Sequence, residues 1–328
     1  MKAIMKVFIK HFFIWLVIFT VIITPATYTL NKLGAVRVFQ GTETIMDELV
    51  LDALVDPKSP FFEAFRDSKR ANVLLLGVND GLTDTIMLVS YDMENQHVDI
   101  ISVPRDTYYE RKGVSSPGSL KINAIYKKDG AVGTARAVSD VLLGIPIHYY
   151  AVITYDGIGR IVDSIGGVPM DIPFHMYYKD PTDEPPLYID IPKGPIVLDS
   201  SNVGQFLRFR KGSPGYPGYP DGDIGRIKAQ QEFMKSAFRQ ALGFQLPKVA
   251  KTVIQNVDSD LPLSMALKIV AKAPGLKGED IQTWLTPGKS GMKNGASYWW
   301  VDKEAIEEML MEIYSIKTEE QQSEEQVE

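Results

Sequence analysis

Three arginines, an aspartate and two glutamines stand around one loop rich in Gly, Pro and Tyr: Arg208-Phe209-Arg210, then Gly212 to Gly222, then Asp223-Ile224-Gly225-Arg226 and Gln230-Gln231. The chain as a whole is acidic, with a formal net charge of −6, so guanidinium groups gathered on one loop add nothing to its solubility. Their planar forks match phosphate oxygens two at a time. A single arginine usually pairs with a surface carboxylate. Three at this spacing, joined by Arg105 ahead of Asp106, point to an anion site instead.

Carboxylates complement this set. Asp80 and Asp84 bracket a five-residue turn between two apolar runs, so both can converge at one end of a sheet. Two carboxylates together with phosphate oxygens are what Mg²⁺ takes. Asp80-Gly81 also reads as a plain hairpin turn, whereas Asp84 stands directly before a strand and away from the apex. Val103-Pro104-Arg105-Asp106 ends the next run, and ligands gather at strand ends in open α/β sheets. Asp106, between an arginine and Thr107, reads as a local hydrogen-bond acceptor. Lys121 and Asn123 are explained equally well as phosphate contacts or as a solvated lysine and a capping asparagine.

These residues need a scaffold. Val73–Leu76, Thr85–Tyr91 and Val98–Val103 are short apolar runs bounded by turn residues, the pattern of buried strands. Helical spacing follows over Ala131–Leu143 with a stop at Gly144, then a strand over Ile147–Thr154 and a helix over Ile158–Ile165. Asp171–Asp199, rich in Pro and Tyr, admits short strands at best. Helix returns over Ile224–Leu242, Pro262–Ala273 and Lys303–Tyr314, with strands near Ile281–Leu285 and Tyr298–Val301. Alternation of this kind predicts an α/β fold, a layered sheet with helices on both faces.

The amino terminus predicts where the domain works. Phe12–Leu30 carries no charged side chain over nineteen positions, enough at about 1.5 Å per residue to cross a hydrocarbon layer roughly 30 Å thick. Lys2, Lys6 and Lys10 precede it and would hold that end in the cytoplasm. The run is long for a cleaved signal peptide, and Thr24-Pro25-Ala26 is a poor cleavage site, so a signal anchor is the reading. The expected layout is a cytoplasmic tip and transmembrane anchor over 1–30, a stalk over 31–70 with a short amphipathic helix at Thr42–Leu54, a core over 71–245, a further α/β part over 246–316, and a disordered acidic tail over 317–328. The protein is then a single-pass component of the cell membrane with its large domain outside.

Composition limits the alternatives. With 45% hydrophobic residues and no cysteine, the chain must fold on its own core rather than on disulfides. Its acidity argues against nucleic acid as a partner. Four scattered histidines make no metal-ligand pattern.

Taken in order, Thr83-Asp84-Thr85-Ile86-Met87, Val103-Pro104-Arg105-Asp106, Lys121-Ile122-Asn123-Ala124, Arg208-Phe209-Arg210 and Asp223-Ile224-Gly225-Arg226 with Gln230-Gln231 resemble the LytR-CpsA-Psr family over about residues 70 to 245. The resemblance implies a membrane-anchored phosphotransferase of Gram-positive envelopes. Such an enzyme moves a glycopolymer, such as teichoic acid or capsule, from a polyprenyl pyrophosphate carrier to peptidoglycan. By the same resemblance Arg105, Arg208, Arg210 and Arg226 grip the pyrophosphate, and Lys121, Asn123 and Asp223 join its contacts. Gln230 supports that grip, Asp84 holds Mg²⁺ or activates the acceptor hydroxyl, and Asp80 is the second metal carboxylate. A lipid tail needs an apolar groove, for which the helices at Ala131–Leu143 and Ile158–Ile165 are candidates.

The chain also departs from the family pattern. Leu82 stands where an arginine is usual, Asn79 occupies the usual place of the first metal aspartate with Asp80 one position later, and Ala229 replaces an arginine before the paired glutamines. These departures define the alternative: an envelope protein that binds polyprenyl pyrophosphate or glycopolymer, with weak or no transfer.

Overall fold

The computed structural model describes residues 58–316 apart from 184–185, 243–245 and 274. The expected span at Phe12–Leu30, the helix at Thr42–Leu54 and the tail at 317–328 lie outside the described residues. Among the described residues no helix is long and apolar enough to cross a membrane.

The core begins with α1 (Phe62–Asp67) and a hairpin of β1 (Arg70–Asn79) and β2 (Leu82–Asp92). The turn between these strands is only Asp80-Gly81, with φ of 49° and 73°. Positive φ at both central residues matches the twist of the flanking strands, which is why an Asp-Gly pair closes a two-residue hairpin. The register slips between Gly77 and Val78. Asp84 is therefore the third residue of β2 and does not stand before the strand: in place of the expected longer turn, Leu82 and Thr83 pair with Asn79 and Val78, and Asp84 is the extra residue at the slip. β3 (His97–Ser102) continues the meander antiparallel to β2.

Two short 3₁₀ turns, Gly118–Leu120 and Ile122–Ala124, lead into α2 (Tyr126–Val141), and β4 (Tyr149–Ile153) returns parallel to β1. Next come α3 (Tyr155–Ser164) and two hairpin pairings, β5 (Val168–Ile172) with β8 (Gly194–Leu198) and β6 (Met176–Asp180) with β7 (Leu187–Ile191). These are the short strands foreseen in the Pro- and Tyr-rich stretch. α4 (Val203–Arg208) and α5 (Asp223–Leu242) flank the arginine loop.

The remaining elements close the sheet and its layers: α6 (Leu246–Asn256), β9 (Asp258–Ser259), α7 (Leu263–Ala271), β10 (Ile281–Leu285), a hairpin of β11 (Gly288–Lys293) and β12 (Ala296–Val301), and α8 (Lys303–Ile313). The strand order is β10-β3-β2-β1-β4-β9, with β10 parallel to β3 and β9 antiparallel to β4. The sheet is thus mixed, because its first three strands form a meander before any helix intervenes. Residues 246–316 supply two strands of this sheet, β9 and β10, and one of its covering helices.

Alternation along the strands sends side chains to two faces. On one, Leu74, Leu76, Ile86, Leu88 and Ile101 pack against α2 and α8. In α8 the buried set is Ile306, Met309, Leu310 and Ile313, spaced three and four apart as a helix stripe requires. Each such side chain contributes about 1.5–3 kcal/mol on burial. On the other face lie α3, α4 and α5, whose Val162, Phe206 and Phe233 join the two hairpins in a second cluster.

Candidate functional site

Phe209 explains how two motif arginines come to face the same way. Its ring is fully buried in the second cluster, and its backbone is extended (φ −63°, ψ 128°) at the end of α4. In an extended segment neighbours point to opposite sides, so Arg208 and Arg210 both turn away from the core. They line one cleft of about 290 Å³ together with Arg105, Arg226, Asp84 and Tyr155. Asn79, Lys211, Tyr178, Asp180 and Asp183 complete its polar wall. Five of these side chains are cationic (Arg105, Arg208, Arg210, Lys211, Arg226) and three are carboxylates (Asp84, Asp180, Asp183), a local excess of two positive charges in an acidic protein.

The strand-end placement expected for Arg105 holds: Arg105 Nη1 donates to Asp84 Oδ1 at 2.5 Å, across neighbouring strand ends. Arg226 sits in the first turn of α5, only 5% exposed, and its Nη2 donates to the backbone carbonyl of Asp84 at 3.2 Å. Asp223 Oδ1 lies 2.9 Å from Arg226 Nη2 and 3.6 Å from Arg105 Nε. Neither contact has hydrogen-bonding geometry, and the second is too long for one. Six buried side-chain polar atoms lack a hydrogen-bond partner among the described residues, and three of them are here: Arg105 Nε, Arg226 Nε and Asp223 Oδ1. A buried unpaired donor costs roughly 1–3 kcal/mol. Two belong to guanidinium groups that line the cationic cleft, so the charge of both is incompletely met from within the protein.

Burial pulls the Arg226 guanidinium below its ordinary value, with Asp223 opposing and the neighbouring Arg105 adding to the fall. Burial acts on Arg105 in the same sense, but Asp223, Asp84 and Asp106 together hold it above the ordinary value. Both stay cationic. The Tyr155 phenol is pushed up to about 12 by burial and by Asp84, against the pull of Arg208, Arg226 and Arg105. It therefore remains a neutral donor. Its ring carries the Arg208 guanidinium at 5.2 Å, and Arg208 Nη2 also reaches Asp183 Oδ2 at 2.5 Å. Arg210 and Lys211 make no ion pair among the described residues.

Other motif residues lie behind or beside the cleft. Gln230 Nε2 donates to the carbonyl of Leu207, the residue before Arg208, and so positions that arginine. Gln231 ties α5 to Ser102 Oγ and to the carbonyl of Trp284. Gly225 lets Tyr219 lie directly against the start of α5, since a Cβ there would overlap the Tyr219 side chain. Lys121 pairs with Asp106 at 2.9 Å, and Asn123 uses its backbone N–H on the carbonyl of Arg105. Neither lines the cleft. Asp106 is thus the local acceptor its neighbours suggested.

Asp80, at the exposed apex of the hairpin, is not among the lining residues, whereas Asn79 is. The two-residue turn is the reason: it leaves Asn79 on the paired strand and carries Asp80 past it. Among the described residues no three of His, Cys, Asp and Glu gather as metal ligands. Leu82 is exposed beside Asn79 on the paired strand, and Ala229 packs against the second hydrophobic cluster.

Sequence reasoning missed Tyr155, Asn79 as a wall residue, Lys211, Tyr178, Asp180 and Asp183. Lys211 had a signal, standing next to Arg210. An apolar pocket of about 70 Å³ adjoins the cleft at Tyr155, which lines both. It runs between the sheet (Leu75, Met87) and the helices (Ile158 of α3, Leu207 of α4, Phe233 and Met234 of α5). Of the two helices expected to form a groove, the second contributes. The first, α2, packs in the core on the opposite face.

The model of the LytR_cpsA_psr family matches residues 39–314. A polyisoprenyl-teichoic acid–peptidoglycan teichoic acid transferase, TagV of Bacillus subtilis, is 26% identical over 226 residues; the match covers 66% of this chain but only 56% of that relative's length. TagU of Oceanobacillus iheyensis, of the same description, is 26% identical over 86% of both chains. Regulatory protein MsrR of Staphylococcus aureus is 28% identical over 70% of this chain and 68% of its own. Among solved structures, B. subtilis TagV superposes with a TM-score of 0.62 at 23% identity, covering 76% of this chain and 98% of that one. TagT bound to LIIa-WTA superposes with the same score at 20% identity, covering 80% and 95%. At these identities the structural likeness establishes the fold.

Proposed function

This chain belongs to the LytR_cpsA_psr family, and we propose that it transfers a phosphorylated glycopolymer from a polyprenyl pyrophosphate carrier to peptidoglycan. The observation that carries this reading is the convergence of Arg105, Arg208, Arg210 and Arg226 on one cleft that shares Tyr155 with an apolar pocket. A diphosphate would lie against Arg105, Arg226, Arg208 and Arg210, with the first lipid units in the pocket at Ile158 and Phe233. The acceptor hydroxyl oxygen attacks the phosphorus that bears the glycopolymer. The bond from that phosphorus to the bridging oxygen breaks, and polyprenyl monophosphate leaves with that oxygen. Charge neutralisation and positioning supply most of the acceleration in such reactions.

The relatives named as teichoic acid transferases support the reaction class. Asp84, held by Arg105, has two tasks open to it: taking the acceptor's proton, or holding Mg²⁺ with the side-chain oxygen of Asn79. One carboxylate and one amide oxygen fit that ion, which draws its other ligands from water and substrate phosphates. When bound, Mg²⁺ would offset charge on the diphosphate. On this reading Asn79, not Asp80, takes the first metal position. The charge-free run after Lys10 would anchor the chain with its folded part outside. Protease added to intact protoplasts should then degrade residues 58–316, and their protection would refute that placement.

The test is to incubate the full chain in detergent with a polyprenyl-pyrophosphate-linked glycan, a peptidoglycan oligomer and Mg²⁺. The account expects a phosphodiester-linked product and released polyprenyl monophosphate. Tight lipid binding without product would favour a binding role, to which the missing arginines at Leu82 and Ala229 lend support.

A further inference from the structure

The hairpin that walls the cleft has a second, outward face. Tyr178 and Asp180 of β6 and Leu187 of β7 line the cleft, and the alternate residues point away from it. There Tyr177 and Tyr188 meet edge to face with ring centroids 6.0 Å apart, and Tyr216 of the arginine loop stacks on Tyr177 at 4.3 Å and 29°. The loop is fixed in place: Ser213 N–H donates to the Tyr177 carbonyl, and Ser213 Oγ accepts from Lys179 N–H. Tyr188 and Tyr216 are nevertheless 49% and 41% exposed.

Polar groups frame these rings. Asp190 accepts from the Tyr188 hydroxyl at 2.9 Å and lies 2.7 Å from His175 Nε2, and Lys179 Nζ stands 5.3 and 4.9 Å from the Tyr177 and Tyr188 ring centres. Cross-strand packing within the hairpin accounts for Tyr177 and Tyr188. It does not account for a third ring delivered by a loop and left open to solvent. Aromatic faces rimmed by a carboxylate, an imidazole and an ammonium match a pyranose ring, which has an apolar C–H face and a girdle of hydroxyls.

We infer that Tyr177, Tyr188 and Tyr216, with His175, Lys179 and Asp190, form a glycan-binding platform that holds sugar rings on the outer face of the hairpin that walls the cleft. This rests on the proposed transfer reaction, which brings two glycans to the cleft that this hairpin walls: the acceptor strand and the saccharide of the donor. The shared chemistry is the pyranose ring.

The test measures binding to the full chain in detergent micelles by calorimetry. The probes are an oligomer of alternating N-acetylglucosamine and N-acetylmuramic acid, the free saccharide of the donor, and a saccharide-free polyprenyl diphosphate. The Tyr188→Ala/Tyr216→Ala variant should bind one of the two saccharides about tenfold more weakly, as loss of two stacking contacts implies. Its binding of polyprenyl diphosphate and its circular dichroism should not change. Tyr216→Trp, which keeps a stacking face, should retain binding. Loss confined to the strand oligomer assigns the platform to the acceptor; loss confined to the free saccharide assigns it to the donor. Wild-type affinity of the folded double variant for both saccharides overturns the platform, as does failure of the wild type to bind either. The diphosphate probe keeps the two ideas apart, since a wild-type chain that binds saccharide but not polyprenyl diphosphate refutes the transfer reaction and leaves the platform standing.

Discussion

Arg70 and Arg226 are the same residue type at nearly the same burial, with side chains 7% and 5% exposed, yet the fold treats them oppositely. Arg70 Nη1 donates to Asp99 Oδ2 at 2.7 Å, its Nη2 donates to the carbonyl of Ile313 at 2.6 Å, and its guanidinium lies 5.2 Å from the Tyr314 ring centre. None of its nitrogens is left buried and unpaired. Arg226 has one long bond to a carbonyl, the Asp223 carboxylate 2.9 Å from Nη2 without hydrogen-bonding geometry, an unpartnered Nε, and Arg105 as a like-charged neighbour. A buried arginine that is satisfied joins elements together. One left unsatisfied at a cleft wall holds free energy that an anion can release.

The largest expected effect breaks the satisfied site. Arg70→Met strands the Asp99 carboxylate, itself 1% exposed, and should destabilise the protein by about 3–5 kcal/mol in urea melts. Arg226→Met should cost clearly less, because the charge removed is imperfectly paired, although Asp223 loses its nearest cation. Its affinity for a polyprenyl diphosphate should fall by about 1.5–3 kcal/mol per charged hydrogen bond lost. Arg226→Lys should rescue little, since the fork is lost. Equal loss of stability in both variants would erase the distinction.

Acid should strike the satisfied region first. His148 Nδ1 accepts from Asn72 N–H beside Arg70, and burial pulls its imidazole down to about 4. The unfolded chain, titrating near 6.5, binds the extra proton between those values. Stability is therefore fully present above about pH 6.5 and falls as pH drops toward 4, by on the order of 3 kcal/mol. His148→Gln should flatten that slope. The smallest effect concerns the rim: Leu82→Arg adds an exposed cation next to Asn79 and should tighten diphosphate binding by less than about 1 kcal/mol, a gain removed by salt. A gain of a hundredfold would mean that the hairpin closes over the ligand.

The arginines of the cleft were legible because their spacing carries them: an Arg-Phe-Arg with a core phenylalanine must present both cations together. The strand ends and the covering helices were legible from apolar runs and their stops. Tyr155, Asp180 and Asp183 were not, because what they face depends on how α3 and the β6–β7 hairpin pack, which no local pattern encodes. Asp80-Gly81 gave the turn, yet which neighbour reached the cleft was decided by how far strand pairing continued past Thr85. The β11–β12 hairpin had a signal in Asn294-Gly295, both at positive φ, that was overlooked. Helix α6 was not foreseen either.

The central claim is that Arg105 and Arg226 bind the diphosphate. Arginine Nε–H resonances of the full chain in micelles, assigned by loss of each peak in Arg→Lys variants, can be followed while a polyprenyl diphosphate is added. The account predicts that the Arg105 and Arg226 resonances move downfield with saturation while that of Arg70 stays in place. Saturable binding that leaves both cleft resonances unmoved would contradict it.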